Sequence, residues 1–260
     1  MSDLPARNLA DVRLADLLEG TGCPVCAARG RAIDRFLESW LWESVNDVGV
    51  RRELDASRGL CPIHVRELVA SDRRHSGSML GSAILLDAML RVRQAEIEAV
   101  RRARGGRARA RALAAASQDP ACLVCRVGDE AEASTIDGIG RHLEAAWAEA
   151  TAQASFCVAH LVVLMRAARD ISAWQVVEER QLERVASLHR TIGAFISHSA
   201  YDTRHLRTAE EVASLGRVAQ LLGASDERPG AGHAGTRGGR QGAATDDEGT
   251  SVAPDGHEAT

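Results

Sequence analysis

The chain has 260 residues, 45% of them hydrophobic and 26% charged, which suits one large domain or two smaller ones. Aromatic residues make up only 3%, which argues against a β-sandwich or barrel, while abundant Ala, Leu, Glu and Arg favour helix. All 32 basic residues are arginine, so no catalytic lysine, complete Walker A loop or kinase-type lysine is available. Net charge is −4, and it is concentrated at the C-terminal end, where residues 224–260 hold seven acids and three arginines. The remainder is neutral and does not announce a nucleic-acid protein.

Taken in order, Leu4–Leu18 reads as a short amphipathic segment ending at Gly20. Residues 27–46 read as helix, with Ile33, Phe36, Leu37, Trp40 and Leu41 at helical spacing. Asn46-Asp47-Val48-Gly49 signals a turn. Val50–Arg58 returns as a shorter helix, with Gly59 placed to end it. His64–Ser71 continues as helix. A long helix over Ser78–Arg104 is expected to bury Met79, Ala83, Leu86, Leu90, Ile97 and Val100, with a polar break at Arg93. Residues 127–136 form the next helix, which is expected to break at Asp137-Gly138-Ile139-Gly140 and return over 141–153. A second long helix over Ala173–His198 carries Trp174, Val177, Val185, Leu188, Ile192 and Phe195, with Gln181 as its polar break. A loop at Tyr201-Asp202-Thr203 precedes a last helix over Ala209–Leu222. Residues 224–260 hold Val252 as their single large aliphatic and are expected to be disordered.

All six cysteines fall into a duplicated pattern. Cys23-Pro24-Val25-Cys26 is followed, after thirty-four residues, by Cys61-Pro62-Ile63-His64; Cys122-Leu123-Val124-Cys125 is followed, after thirty-one, by Cys157-Val158-Ala159-His160. Three thiolates and one imidazole form a complete tetrahedral donor set for zinc. The x-x spacing puts both donors on one face of a helical turn, and a helix N-terminus stabilises thiolate, so each pair is expected at a helix start. An out-and-back excursion inside each half would bring its Cys-x-x-Cys beside its Cys-x-x-His. One unbroken helix of ~30 residues would hold the pairs ~45 Å apart. Spacing alone leaves open whether pairs meet within or across the halves. Two zinc ions held by Cys23, Cys26, Cys61, His64, Cys122, Cys125, Cys157 and His160 are the preferred reading; iron–sulfur clusters on the same residues are the alternative.

The motifs CPVC, GLCPIH, CLVC, SFCVAH and AFISHSAYDTRH resemble an uncharacterised prokaryotic family of helical proteins with duplicated Cys-x-x-Cys…Cys-x-x-His repeats. The resemblance spans about residues 20–223. It departs at Tyr201-Asp202, where the family has the reverse order. It implies the helical fold and the metal ligands and transfers no activity.

The expected architecture is an all-α helical bundle built from two tandem repeats. Residues 1–21 are a helical lead-in, 22–116 are repeat one with an Arg-rich linker, 117–223 are repeat two, and 224–260 are an acidic tail. The expected role is a metal-stabilised scaffold with protein partners rather than an enzyme. Gly-x-Ser-x-Gly and His-Glu-x-x-His are both missing from the chain. Electron transfer or redox sensing through iron–sulfur centres is a second reading. Nucleic-acid binding through the eight arginines of Arg91–Arg111 is a third. No segment resembles a signal peptide or a membrane span, so a soluble, cytoplasmic protein is expected.

Overall fold

The computed structural model describes residues 4–142, 145–168 and 171–223. The acidic tail lies outside the described residues. Among them the chain is all-α: α1 (Leu9–Leu18), α2 (Pro24–Trp42), α3 (Val48–Ala56), α4 (Pro62–His75), α5 (Leu80–Arg102), α6 (Gly106–Ala116), α7 (Leu123–Arg141), α8 (Ala145–Gln153), α9 (Val158–Ala167), α10 (Ile171–Ser197), a 3₁₀ turn at Arg204–Leu206, and α11 (Ala209–Leu221). No helix among them is long and apolar enough to cross a membrane.

The organising contact is between α2 and α7, the helices that begin at the two Cys-x-x-Cys motifs. They run antiparallel. Val25, near the start of α2, shares a core with Ile139 at the end of α7; Leu37, late in α2, shares one with Val124 at the start of α7. They pack tightly at Gly128, where an added Cβ would lie 3.0 Å from the Ile33 Cδ1 and 3.1 Å from the Arg29 Cζ. Arg29 lies across this crossing and donates from Nη1 to Asp129 (2.5 Å) and Glu132 (3.0 Å).

Two cores flank the pair. One gathers Leu14, Val25, Ile139, Trp147, Phe156, Leu164 and Trp174; the other gathers Ile33, Leu37, Trp40, Leu54, Leu68, Leu85, Leu123 and Val124. Each draws on both halves of the sequence. Asp11 joins α1 to the end of α7. It accepts from the Arg7 backbone N–H (2.8 Å) and lies 3.0 Å from the His142 Nε2, and the imidazole stacks on Trp147.

Three expectations need correction. The helix through Gly138 and Gly140 does not break; α7 continues to Arg141, and a Cβ on Gly138 would already touch Leu14 at 3.5 Å. Packing of α1 against this end sustains a helix that glycine propensity alone disfavours. The face of α5 that is buried is Ser82, Leu85 and Met89, while Leu90 and Ile97 are 67% and 68% exposed. The Arg-rich linker is a helix, α6, reached through Gly105 at φ +80°.

Ser82 explains the shift of face on α5. Its backbone N–H and hydroxyl both donate to the Asp72 Oδ2, at 2.8 and 2.7 Å, and the Ser76 hydroxyl donates to Oδ1. Asp72 thereby supplies the start of α5 with an acceptor that its own N-cap, Met79, lacks. Burial pushes the Asp72 carboxyl up, but these hydrogen bonds outweigh it and hold it below the ordinary carboxylate value.

Candidate metal centres

All four leading cysteines occupy the same local position. Cys23, Cys61, Cys122 and Cys157 are the N-caps of α2, α4, α7 and α9. Cys26, His64, Cys125 and His160 follow at the third helical residue, on the same face as the cap. Pro24 and Pro62 fill the first helical position in repeat one, where a missing N–H costs nothing. Each pair therefore sits at the positive end of a helix dipole, as the spacing anticipated.

The pairs assemble across the halves. Cys23 and Cys26 meet Cys157 and His160; Cys61 and His64 meet Cys122 and Cys125. The expectation that each half closes its own set is thus corrected. The physical cause is the antiparallel α2–α7 pair: the start of each helix lies beside the far half's Cys-x-x-His helix rather than its own.

The distances are tight. The His160 Nδ1 lies 3.4, 3.2 and 3.2 Å from the sulfurs of Cys23, Cys26 and Cys157, and Cys26 and Cys157 are 3.8 Å apart. The His64 Nδ1 lies 3.2, 3.3 and 3.3 Å from Cys61, Cys122 and Cys125, and Cys61 and Cys125 are 3.8 Å apart. The first cluster is the deeper: only Cys26 is more than marginally accessible. In the second, Cys61 and Cys125 are both half-buried.

In both clusters the imidazole turns Nδ1 to the sulfurs and Nε2 to a carboxylate. Glu132, on α7, is 3.3 Å from the His160 Nε2 and also accepts from Arg29; Glu67, on the same helix as His64, is 3.6 Å from its Nε2. Such outer carboxylates fix tautomer and ring orientation at metal sites. Neither was singled out in the sequence. Glu67 had a signal, three residues after His64. Glu132 had none, since it precedes His160 by a full helix and a turn.

Electrostatics follow from crowding. Hydrogen bonds from Cys157 and Cys26 hold the Cys23 thiol far below its ordinary value, against burial. Its own bonds to Cys157 and Cys23, together with burial, drive Cys26 up. In the second cluster a hydrogen bond from Cys122 draws Cys61 down to about 3, and burial with the Cys61 charge lifts Cys125 to about 11. Burial lowers His160, but bonds to Cys157 and Cys23 prevail and carry it up to about 10. A set of four groups that cannot shed all its protons alone is suited to a divalent cation, which offsets the accumulated thiolate charge.

The loops that deliver the Cys-x-x-His pairs are clamped by the two polar breaks read in the long helices. Gln181 donates to the Ala154 carbonyl (2.8 Å) and accepts from the Phe156 N–H (3.3 Å), just before Cys157, and Arg184 donates to the carbonyls of Gln153 and Ala154. Just before Cys61, Arg58 at φ +63° donates to Glu96 (2.7 Å), which also accepts from Arg93 (2.9 Å). A backbone bond from the Ala121 N–H to the Ser57 carbonyl (3.0 Å) ties this loop to the one before Cys122. Some of the other histidines have polar partners. His198 faces both oxygens of Glu211 at 3.1 Å, and His75 lies 2.8 Å from Glu38.

No family model matches the chain. No solved structure matches it either. One similar protein is described as an uncharacterized 23.9 kDa protein in the xynA 3' region of Caldicellulosiruptor sp. (strain Rt8B.4), 38% identical over 69 residues. That alignment covers 26% of this chain and 31% of the relative, so the chain spans about a third of the relative's length.

Proposed function

We propose that the protein is a helical scaffold stapled by two zinc ions, one in each Cys3His cluster, and that it works by presenting surfaces to partners. The observation that carries this reading is the spacing of the donors. A tetrahedral zinc with Zn–S of ~2.3 Å and Zn–N of ~2.0 Å separates its sulfurs by ~3.8 Å and each sulfur from nitrogen by ~3.5 Å. In each cluster one sulfur pair is 3.8 Å apart, sulfur and nitrogen are 3.2–3.4 Å apart, and all four donors lie within 4.8 Å of one another. A multi-iron cluster would place thiolates on different irons and spread them farther, so this spacing favours a single ion over the iron–sulfur alternative. Four protein donors per ion leave no position for water or substrate, which supports a structural role for the metal rather than Lewis-acid catalysis.

Elemental analysis and a visible spectrum of anaerobically purified protein test the reading. The expected result is two zinc per chain, a colourless solution, and tetrahedral thiolate bands after cobalt(II) exchange. A brown protein containing iron and acid-labile sulfide would overturn it.

A further inference from the structure

The second centre closes a long excursion of the chain. Between His64 and Cys122 the chain leaves along α4 and α5, turns at Gly105, and returns along α6, which packs beside α5. From Ala99 to Gln118 there is no acid and there are six arginines: Arg101, Arg102, Arg104, Arg107, Arg109 and Arg111. All six are exposed. Among the described residues only Arg102 has an ion-pair partner, Glu98 at 3.0 Å. By contrast, the arginines nearer the body are committed: Arg91 to Asp87, and Arg93 and Arg58 to Glu96.

The second observation is α6 itself. It has eleven residues and buries none of them. Helices of that length are marginal in water without a packed face. Arg-Ala-Arg-Ala-Arg places Arg107 and Arg111 on one side and Arg109 on another, with only methyl groups between. The result is a slender helix, roughly 16 Å long, with cations on more than one flank.

We propose that this elbow docks on the phosphate backbone of a nucleic-acid duplex, with α6 lying along a groove and its arginines reaching phosphates on both walls. A duplex groove about 12 Å wide admits one helix of this calibre. An anionic membrane is a poorer match, because α6 offers Leu113 as its single large apolar residue and has no bulky face to insert. A short acidic peptide would cover one flank and leave the other unpaired. With no aromatic residue in the elbow, recognition rests on charge and not on base stacking, so it is independent of sequence.

The test is fluorescence anisotropy of the full-length, metal-loaded protein with a labelled DNA duplex, a matching RNA duplex, and anionic phosphatidylserine vesicles. Four phosphate contacts predict an affinity loss on the order of a hundredfold between about 50 and 200 mM salt. The triple variant Arg107→Gln/Arg109→Gln/Arg111→Gln keeps good helix formers in α6. It should lower duplex affinity at least tenfold and flatten the salt slope by about three, with metal content and circular dichroism unchanged. Neutralising Arg31, Arg35 and Arg190 instead should leave binding intact. The DNA and RNA arms identify the duplex. Salt-independent binding, an unaffected triple variant, an equal loss in the control variant, or tighter binding to vesicles than to either duplex would each overturn the proposal.

Discussion

His64 and His160 divide their ring nitrogens between sulfur and carboxylate, and the two carboxylates are held differently. Glu132 is fixed by Arg29 from across the helix pair. Replacing it by Gln should weaken metal binding about 10- to 100-fold without changing stoichiometry, as read by competition with a chromophoric chelator. Cys61→Ser or His160→Ala removes one of the proposed ligands instead. Each should lower metal content from two ions to one and lower the melting temperature at the same time, since structural zinc contributes on the order of 10 kcal/mol in small zinc peptides. Full metal content with an unchanged melting temperature would contradict the ligand assignment. Asp72 gives a test independent of metal. Asp72→Asn should cost about 1–3 kcal/mol near neutral pH by weakening the bonds from Ser76 and Ser82. Because the folded carboxyl is held below its ordinary value, its stabilisation is present above about pH 4 and is lost as pH falls through the lowered value. The gap between wild type and variant in thermal melts should therefore narrow in acid.

Element by element, the donors and the helices that carry them were legible, and the way they join was not. Cys-x-x-Cys and Cys-x-x-His announce N-cap and third-residue positions because a helical turn has only one way to align i and i+3. Nothing local says which helix arrives opposite. That is decided by α2 and α7, whose crossing rests on Gly128, a residue with no pattern to mark it. Gly128→Leu should destabilise the protein by about 1–3 kcal/mol through overpacking against Ile33 and Arg29, with metal stoichiometry preserved. Urea melts check this. The face of α5 was misread in part for a related reason: counting apolar residues favours Leu90 and Ile97 beside Leu86, which does pack on the core, whereas the helix buries Ser82 because Asp72 satisfies it. In α10 the same kind of polar interruption, Gln181, turned out to be 3% exposed and occupied with the loop before Cys157. A polar residue inside an apolar stripe is informative when a delivery loop has backbone groups in need of partners.

In the molecule as a whole, the two centres share the α2–α7 pair, so assembling one restrains the helices that form the other. Removing the first centre with Cys157→Ser/His160→Ala should weaken cobalt(II) binding at the second by a factor of roughly 5 to 150, the usual range for coupled sites. An unchanged affinity in a cobalt titration would show that the centres act independently. The crossed pairing of the clusters also bears on how the two halves depend on each other. Half of it, taken alone, holds Cys23 and Cys26 without a histidine and Cys61 and His64 without two sulfurs. Two copies of that half, related by a two-fold axis, would complete each other's sets in the arrangement seen here. Joining the halves in one chain makes their meeting intramolecular, so the crossed sets form at an effective concentration set by the tether rather than by the amount of protein.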